Sequence, residues 1–288
     1  MKRTLVALAV VVCVGGAHAQ QAAPAAQAPA KPAAKAAPGK AATKKQVSPY
    51  KPVVEQRAMD LIKAMSATLG AAKSMSFTAT VGYEYPSKLG PPLVFTTRYD
   101  VAMQRPDKLR ILTVGDGPTS EFYYDGKTMT AYAPVENLAA VAAAPANIDD
   151  ALQAAQKNAA IFFPFMDVVA TDPYQAFNTD VVEAFYIGTS MSVGGAPTTM
   201  VAWANNDVFL QMWIGTDDKL PRRIRAQYRT DALRLRHELE LSNWKLDPAL
   251  PPETFASAKA ASAGKMNFAA PSAPPKGVKS IVPAKGTK

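Results

Sequence analysis

His237 is the only histidine beyond residue 19, and the single cysteine, Cys13, lies close to the N-terminus. Zinc sites of the Cys/His kind need several such ligands together, and a Ser-His-Asp triad would have to run through His237. In the run Leu233, Leu235, His237, Leu239, Leu241 the histidine shares an apolar face, with Arg234, Arg236, Glu238 and Glu240 on the other. A neutral histidine bonded to a neighbour inside a core fits that placement; a catalytic base is the alternative. Paired carboxylates at Asp149-Asp150 and Asp217-Asp218 could in principle do acid–base work. They fall at a helix start and a turn, however, where acids are common for structural reasons. Gly115-Asp116-Gly117 is too short for a phosphate loop and runs into Pro118, and no nucleophile elbow is present. The expectation is a protein without catalytic, metal or cofactor sites, with hydrolysis through carboxylates or His237 as the enzymatic alternative. The densest basic group is Arg222, Arg223 and Arg225, joined by Arg229, Arg234 and Arg236. If their strands are neighbours, Glu238 and Glu240 can pair with some of them across the sheet. The other reading is a dock for an anionic headgroup or partner.

The ends of the chain differ sharply from its middle. Lys2 and Arg3, the apolar run Leu5–Val14 and the small-x-small site Ala17-His18-Ala19 make a three-part export signal over residues 1–19, with cleavage expected after Ala19. The apolar run is too short to span a bilayer. Val12 stands before Cys13 where a lipoprotein signal would need a small residue, so the mature chain should be neither lipidated nor disulfide-linked. Residues 20–46 contain little but Ala, Pro, Gln, Lys, Gly and Thr, and read as a disordered linker. Residues 259–288 read as a flexible basic tail of the same kind. The two ends carry thirteen positive charges and no acids, so the net charge of +9 leaves residues 47–258 at −4. A nucleic-acid-binding face loses its support, since the basicity is not on the body that would fold. The tails could touch an anionic membrane surface, envelope proteins or the cell wall, or serve only as solubilising spacers.

Residues 47–258 suit one domain. Val54, Ala58, Leu61, Ile62, Met65 and Leu69 recur at helical spacing. The period then becomes two over Ser74–Tyr85, Leu93–Gln104 and Lys108–Val114. Glu121–Tyr124, Asp125-Gly126 and Lys127–Tyr132 make a hairpin whose turn suits positive φ angles. A second apolar helical stripe runs from Ile148 through Leu152, Ala155, Ala159, Phe162 and Phe163 to Met166. Strands follow at about Val181–Met191, Thr198–Ala204, Val208–Ile214, Arg222–Tyr228 and Leu233–Leu246. The order argues for an α+β fold, one large antiparallel sheet with its helices on one face. A sheet this wide must curl. Phe77, Val81, Phe95, Tyr99, Met103 and Leu239 would line its concave face, as a packed core or as the wall of a cavity. Trp203, Trp213 and Trp244 read as core anchors.

Two blocks carry a resemblance. Met103-Gln104-Arg105-Pro106-Asp107-Lys108-Leu109-Arg110-Ile111, followed by the Asp-Gly-Lys hairpin of Glu121–Tyr132, resembles the LolA/LolB lipoprotein-carrier superfamily. Gln211-Met212-Trp213-Ile214, then Leu220-Pro221-Arg222-Arg223-Ile224 and Leu241-Ser242-Asn243-Trp244, add a likeness to the predicted periplasmic proteins of domain of unknown function family 2092. The resemblance spans about Val53 to Phe268. It implies a half-barrel sheet, an incomplete β-barrel with helices as a lid over an apolar cavity, which in such carriers holds acyl chains. It also implies that Arg105, at the position of the carriers' Arg-Pro turn, latches sheet to lid; a surface arginine bonded to a turn carbonyl is the alternative. The expected protein is a monomeric, periplasmic, non-enzymatic binder of a lipid or acylated protein. An envelope interaction or scaffold module with a filled core remains the other reading.

Overall fold

The computed structural model describes residues 51–88 and 90–270. The expected export signal, the linker over 20–46 and the last part of the tail lie outside the described residues. The helix predicted from the first periodic stripe is α1 (Gln56–Ala71), which buries Ala58, Ile62, Met65 and Leu69. Next come β1 (Ser74–Tyr85), β2 (Leu93–Gln104), β3 (Lys108–Gly115), β4 (Ser120–Tyr124), β5 (Thr128–Ala133) and β6 (Leu138–Ala143). Three short helices follow, α2 (Ile148–Ala159), α3 (Met166–Val169) and α4 (Pro173–Asn178). A second meander, β7 (Glu183–Ser190), β8 (Thr198–Ala204), β9 (Val208–Gly215), β10 (Pro221–Tyr228) and β11 (Arg236–Leu246), precedes α5 (Ala258–Ser262) and β12 (Gly264–Met266).

The twelve strands among the described residues join one sheet in the order β12-β6-β5-β4-β3-β2-β1-β11-β10-β9-β8-β7. The sheet is open: its end strands β12 and β7 have different neighbours and do not close it into a barrel. Every pairing between the described strands is antiparallel except β12 on β6, which is parallel, and outside the strands Val54 makes an isolated parallel bridge to Ala184 on β7. The long pair β1–β2 sits at the centre, and β11 returns to β1, so the two meanders become halves of one surface. The period-two pattern decides which side faces inward. Phe77, Ala79, Val81, Val101, Met103, Ile111, Phe122, Val201, Trp203, Met212, Leu239 and Leu241 form one buried cluster with the apolar faces of α1 and α2.

Three departures from the sequence expectation matter for the site. The second helical stripe does not run to Met166: α2 ends at Ala159, and Ala160 takes a left-handed conformation at φ 55°. The amides of Ala160 and Ile161 then bond back to Gln156 and Ala155 (3.0 and 3.2 Å), a cap that reverses the chain. Pro164, four residues on, could not have continued the helix in any case. The predicted strand from Leu233 begins only at Arg236, because Asp231 accepts the amides of Leu233 and Leu235 and folds that stretch into a turn. The body also continues past 258 into what was expected to be tail. Ala260 and Ala263 pack on Tyr132 and Ala139 of the outer face, and β12 extends the sheet edge. Small residues can dock there because Ala139 leaves room.

Candidate functional site

The inner face is not evenly filled. Between α1, α3 and strands β1, β9, β10 and β11 lies a cavity of about 340 Å³, walled by Met65, Leu69, Val81, Leu210, Ile224, Ala226 and Leu239. That is at the small end of ligand pockets, which span roughly 300–1,000 Å³. Gln156, Asp167, Tyr228 and His237 bring the polar atoms. The His237 ring stands edge-on to Tyr228, 5.4 Å between centroids. Burial lowers the His237 pKa, against a smaller opposing pull from Asp231 and Glu84. Asp167 is exposed as a residue, yet its carboxyl sits against protein, and the lost hydration raises its pKa. Burial first, and the Asp167 charge second, push the Tyr228 hydroxyl up. A larger groove of about 1,040 Å³ over Gly70–Ser74, Arg105 and Asp247–Pro251 is open to solvent and offers an apolar ligand little enclosure.

The segment that reverses after α2 plugs the middle of the hollow. Phe163 and Phe165 stack on each other at 5.9 Å, and Phe165 meets Phe77 edge-on at 5.7 Å. Tyr99 contacts both rings of the plug, and Phe122 contacts Phe163. Beyond the plug a second cavity of about 440 Å³ lies over β3–β6, between Phe122, Ala131 and Ala140 on the sheet and Ile161, Phe162 and Phe268 above it. The C-terminal segment closes its far side, with the Ala270 amide donating to the Asn158 carbonyl of α2 (2.7 Å).

Arg105 ties this roof to the sheet. From the turn after β2 its guanidinium donates to the carbonyls of Leu69 and Ala72 at the end of α1 (3.4 and 3.2 Å). It also donates to Val169 and Ala170 at the end of α3 (3.3 and 2.8 Å). These are orphan carbonyls of helix ends. Burial lowers the Arg105 pKa, and Asp149 opposes the shift.

The other expected positions are scattered. Val81 and Leu239 wall the first cavity, and Tyr99 the second. Phe77 and Met103 are fully packed, Phe77 between Phe165 and Trp244. Phe95 lies farther along β2, stacked on Tyr83 at 5.7 Å, and lines neither cavity. Arg222, Arg223 and Arg225 do not make one patch. Arg223 and Arg225 face outward and pair with Glu240 and Glu238 on β11, while Arg222 falls at an irregularity of the β9–β10 register and pairs with Asp218. Trp203 is a core anchor, its indole donating to Phe177 (2.9 Å), but Trp213 lies on the outer face beneath Arg223. The residues missed from the sequence are the partition Phe162, Phe163 and Phe165 and the strap Met266–Ala269. The signal for the first was Pro164 inside an apparent helix. Alanine-rich composition hid the second.

A family model described as "Predicted periplasmic protein (DUF2092)" matches residues 58–269. No curated protein matches the chain. Among solved structures, MucB is 16% identical with a TM-score of 0.39, the match covering 71% of this chain and 64% of that one. The chain thus spans less than two thirds of MucB. LprF from Mycobacterium bovis is 15% identical, TM-score 0.42, over 70% of this chain and 98% of that one. A LolA superfamily protein from Nitrosomonas europaea is 11% identical, TM-score 0.32, over 69% and 97%.

Proposed function

Since the chain belongs to the DUF2092 family of predicted periplasmic proteins, we propose that it is a non-enzymatic periplasmic binding protein that takes an acyl chain or another apolar ligand beneath its helices. The observation that carries this reading is the cavity of about 340 Å³ walled by Val81, Leu210, Ile224 and Leu239. Each buried methylene contributes about 0.8 kcal/mol, so a chain of about ten could bind usefully after ordering costs. The polar atoms are few and sit among apolar walls, as in a site that orients a ligand without transforming it. His237 meets an aromatic ring at this cavity, and lowered basicity suits a neutral wall residue. Arg105 serves in this reading as the latch that holds the lid on the sheet.

The aromatic plug favours the filled-core scaffold reading for the centre of the sheet, and one experiment separates the two. Native mass spectrometry of the protein purified from its own periplasm should show co-purifying lipid. Ala226→Trp, which places an indole in the first cavity, should lower the occupancy several-fold while the protein stays folded. A bare polypeptide mass for the unaltered protein would leave the scaffold reading standing alone.

A further inference from the structure

The second cavity has no role in a site for one chain, and its position suggests what the ligand looks like. Both cavities have Phe162 and Phe163 in their walls. Phe163 is only 6% exposed, fixed by ring contacts to Tyr99, Phe122 and Phe165. Phe162 beside it is 54% exposed. The wall between the cavities is therefore rigid at its base and reaches solvent at its crest. A single chain could occupy both spaces only by displacing Phe163, which breaks three aromatic contacts, or by exposing its methylenes to solvent where it crosses Phe162. Two chains joined at one end could enter on either side with their junction over Phe162.

The second space is also made by side-chain size. Across β4, β5 and β6, Phe122, Ala131 and Ala140 are directly paired and face inward. Two methyl groups follow a benzyl group where larger residues would have met the partition. At about 440 Å³ it is no smaller than its neighbour, and its walls are mostly apolar.

We infer that the ligand is a two-chain amphiphile straddling Phe162, one acyl tail in each cavity. This rests on the proposed binding function and goes beyond it by naming the ligand class. Linking two tails makes the second insertion intramolecular, so the pair should bind far more tightly than either tail alone.

The test uses purified, delipidated protein with two probes, palmitate and dipalmitoyl phosphatidylglycerol, read by native mass spectrometry and titration. The unaltered protein should take two palmitates or one two-chain lipid. Ala131→Trp fills the second cavity. It should cut palmitate to one, leave that first affinity within about threefold, and weaken the two-chain lipid at least tenfold. Ala133→Trp, half-buried on the same cavity wall, is the second variant should the first fail to fold. If a folded variant still takes two palmitates, or binds the two-chain lipid unchanged, the two-tail inference is overturned while the single-chain function stands. If no form of the protein takes either probe, the binding function itself is overturned, and the inference with it.

Discussion

Replacing Arg105 with methionine keeps most of the apolar stem and removes the guanidinium that joins two helix ends to the sheet. The bond to Ala170 is short at 2.8 Å, and a charge-assisted bond of that kind contributes about 1.5 kcal/mol net. The other three run from 3.2 to 3.4 Å and add roughly 0.5 kcal/mol each at such lengths. Against this stands the desolvation of a part-buried cation, which is relieved on substitution. The balance is a loss of about 2–3 kcal/mol, or roughly 4–12 °C in Tm for a domain of this size. Arg105→Lys is the more telling variant. A lysine presents one compact charge and can satisfy one helix end, whereas the planar fork reaches both. It should recover less than half of the loss. Urea unfolding gives the magnitude, and amide exchange shows where it falls: faster exchange near Leu69–Lys73 and Val169–Thr171, with β9 and β10 unaffected. The reasoning is refuted if the methionine variant loses under about 0.5 kcal/mol, or if lysine restores full stability.

Two further outcomes follow from the charges. Burial holds the folded-state pKa of His237 below its ordinary 6.5, so as pH falls the unfolded chain takes up the proton first. The stability it contributes is whole above that value and is lost as pH falls towards the folded one. Thermal unfolding between about pH 7 and pH 5 should therefore show the unaltered protein losing more stability than His237→Gln, and parallel curves would remove burial as the cause. Glu240→Gln breaks the outer-face pair with Arg223, whose partners are about a third and a half exposed. It should cost under about 1 kcal/mol and nothing in high salt; a loss above about 2 kcal/mol would mean the pair is not a surface one.

The strands were legible where their side chains alternate in size and polarity. Met75, Phe77, Ala79 and Val81 in β1 follow directly from period two, whereas β8, buried almost throughout, reads as a continuous short run. β6 was not legible. Its sequence LAAVAA gives the alternation nothing to act on, and it pairs because β5 already stands beside it. The same holds for α5 and β12, whose alanines and glycine look like tail until Tyr132 and Ala139 supply a surface. A bulge near Thr78, with Asn243 at φ 56°, shifts the β1–β11 register and turns Trp244 onto Phe77. No period shows such a step. Arg105 was picked out by resemblance, because its Arg-Pro turn matches that of the lipoprotein carriers. What it touches depends on where α1 and α3 end, which lies far away in the chain.

Volume is the property least visible in a pattern, because a stripe of apolar residues reads the same whether it is met by side chains or by space. The hollow here arises from a mismatch: alanines at 131, 140 and 226 stand opposite a roof held off by the Phe163–Phe165 plug and the Arg105 tie. At about 24 cal/mol per Å³, a dry void the size of the first cavity would cost up to about 8 kcal/mol, comparable to the whole stability of an ordinary domain. A larger residue at 226 would recover part of that in the first cavity, and larger residues at 131 and 140 would do the same in the second. Keeping them small forgoes stability where nothing structural asks for it, and such a trade is characteristic of binding surfaces. That is the physical ground for treating the two spaces as a site rather than as a packing defect.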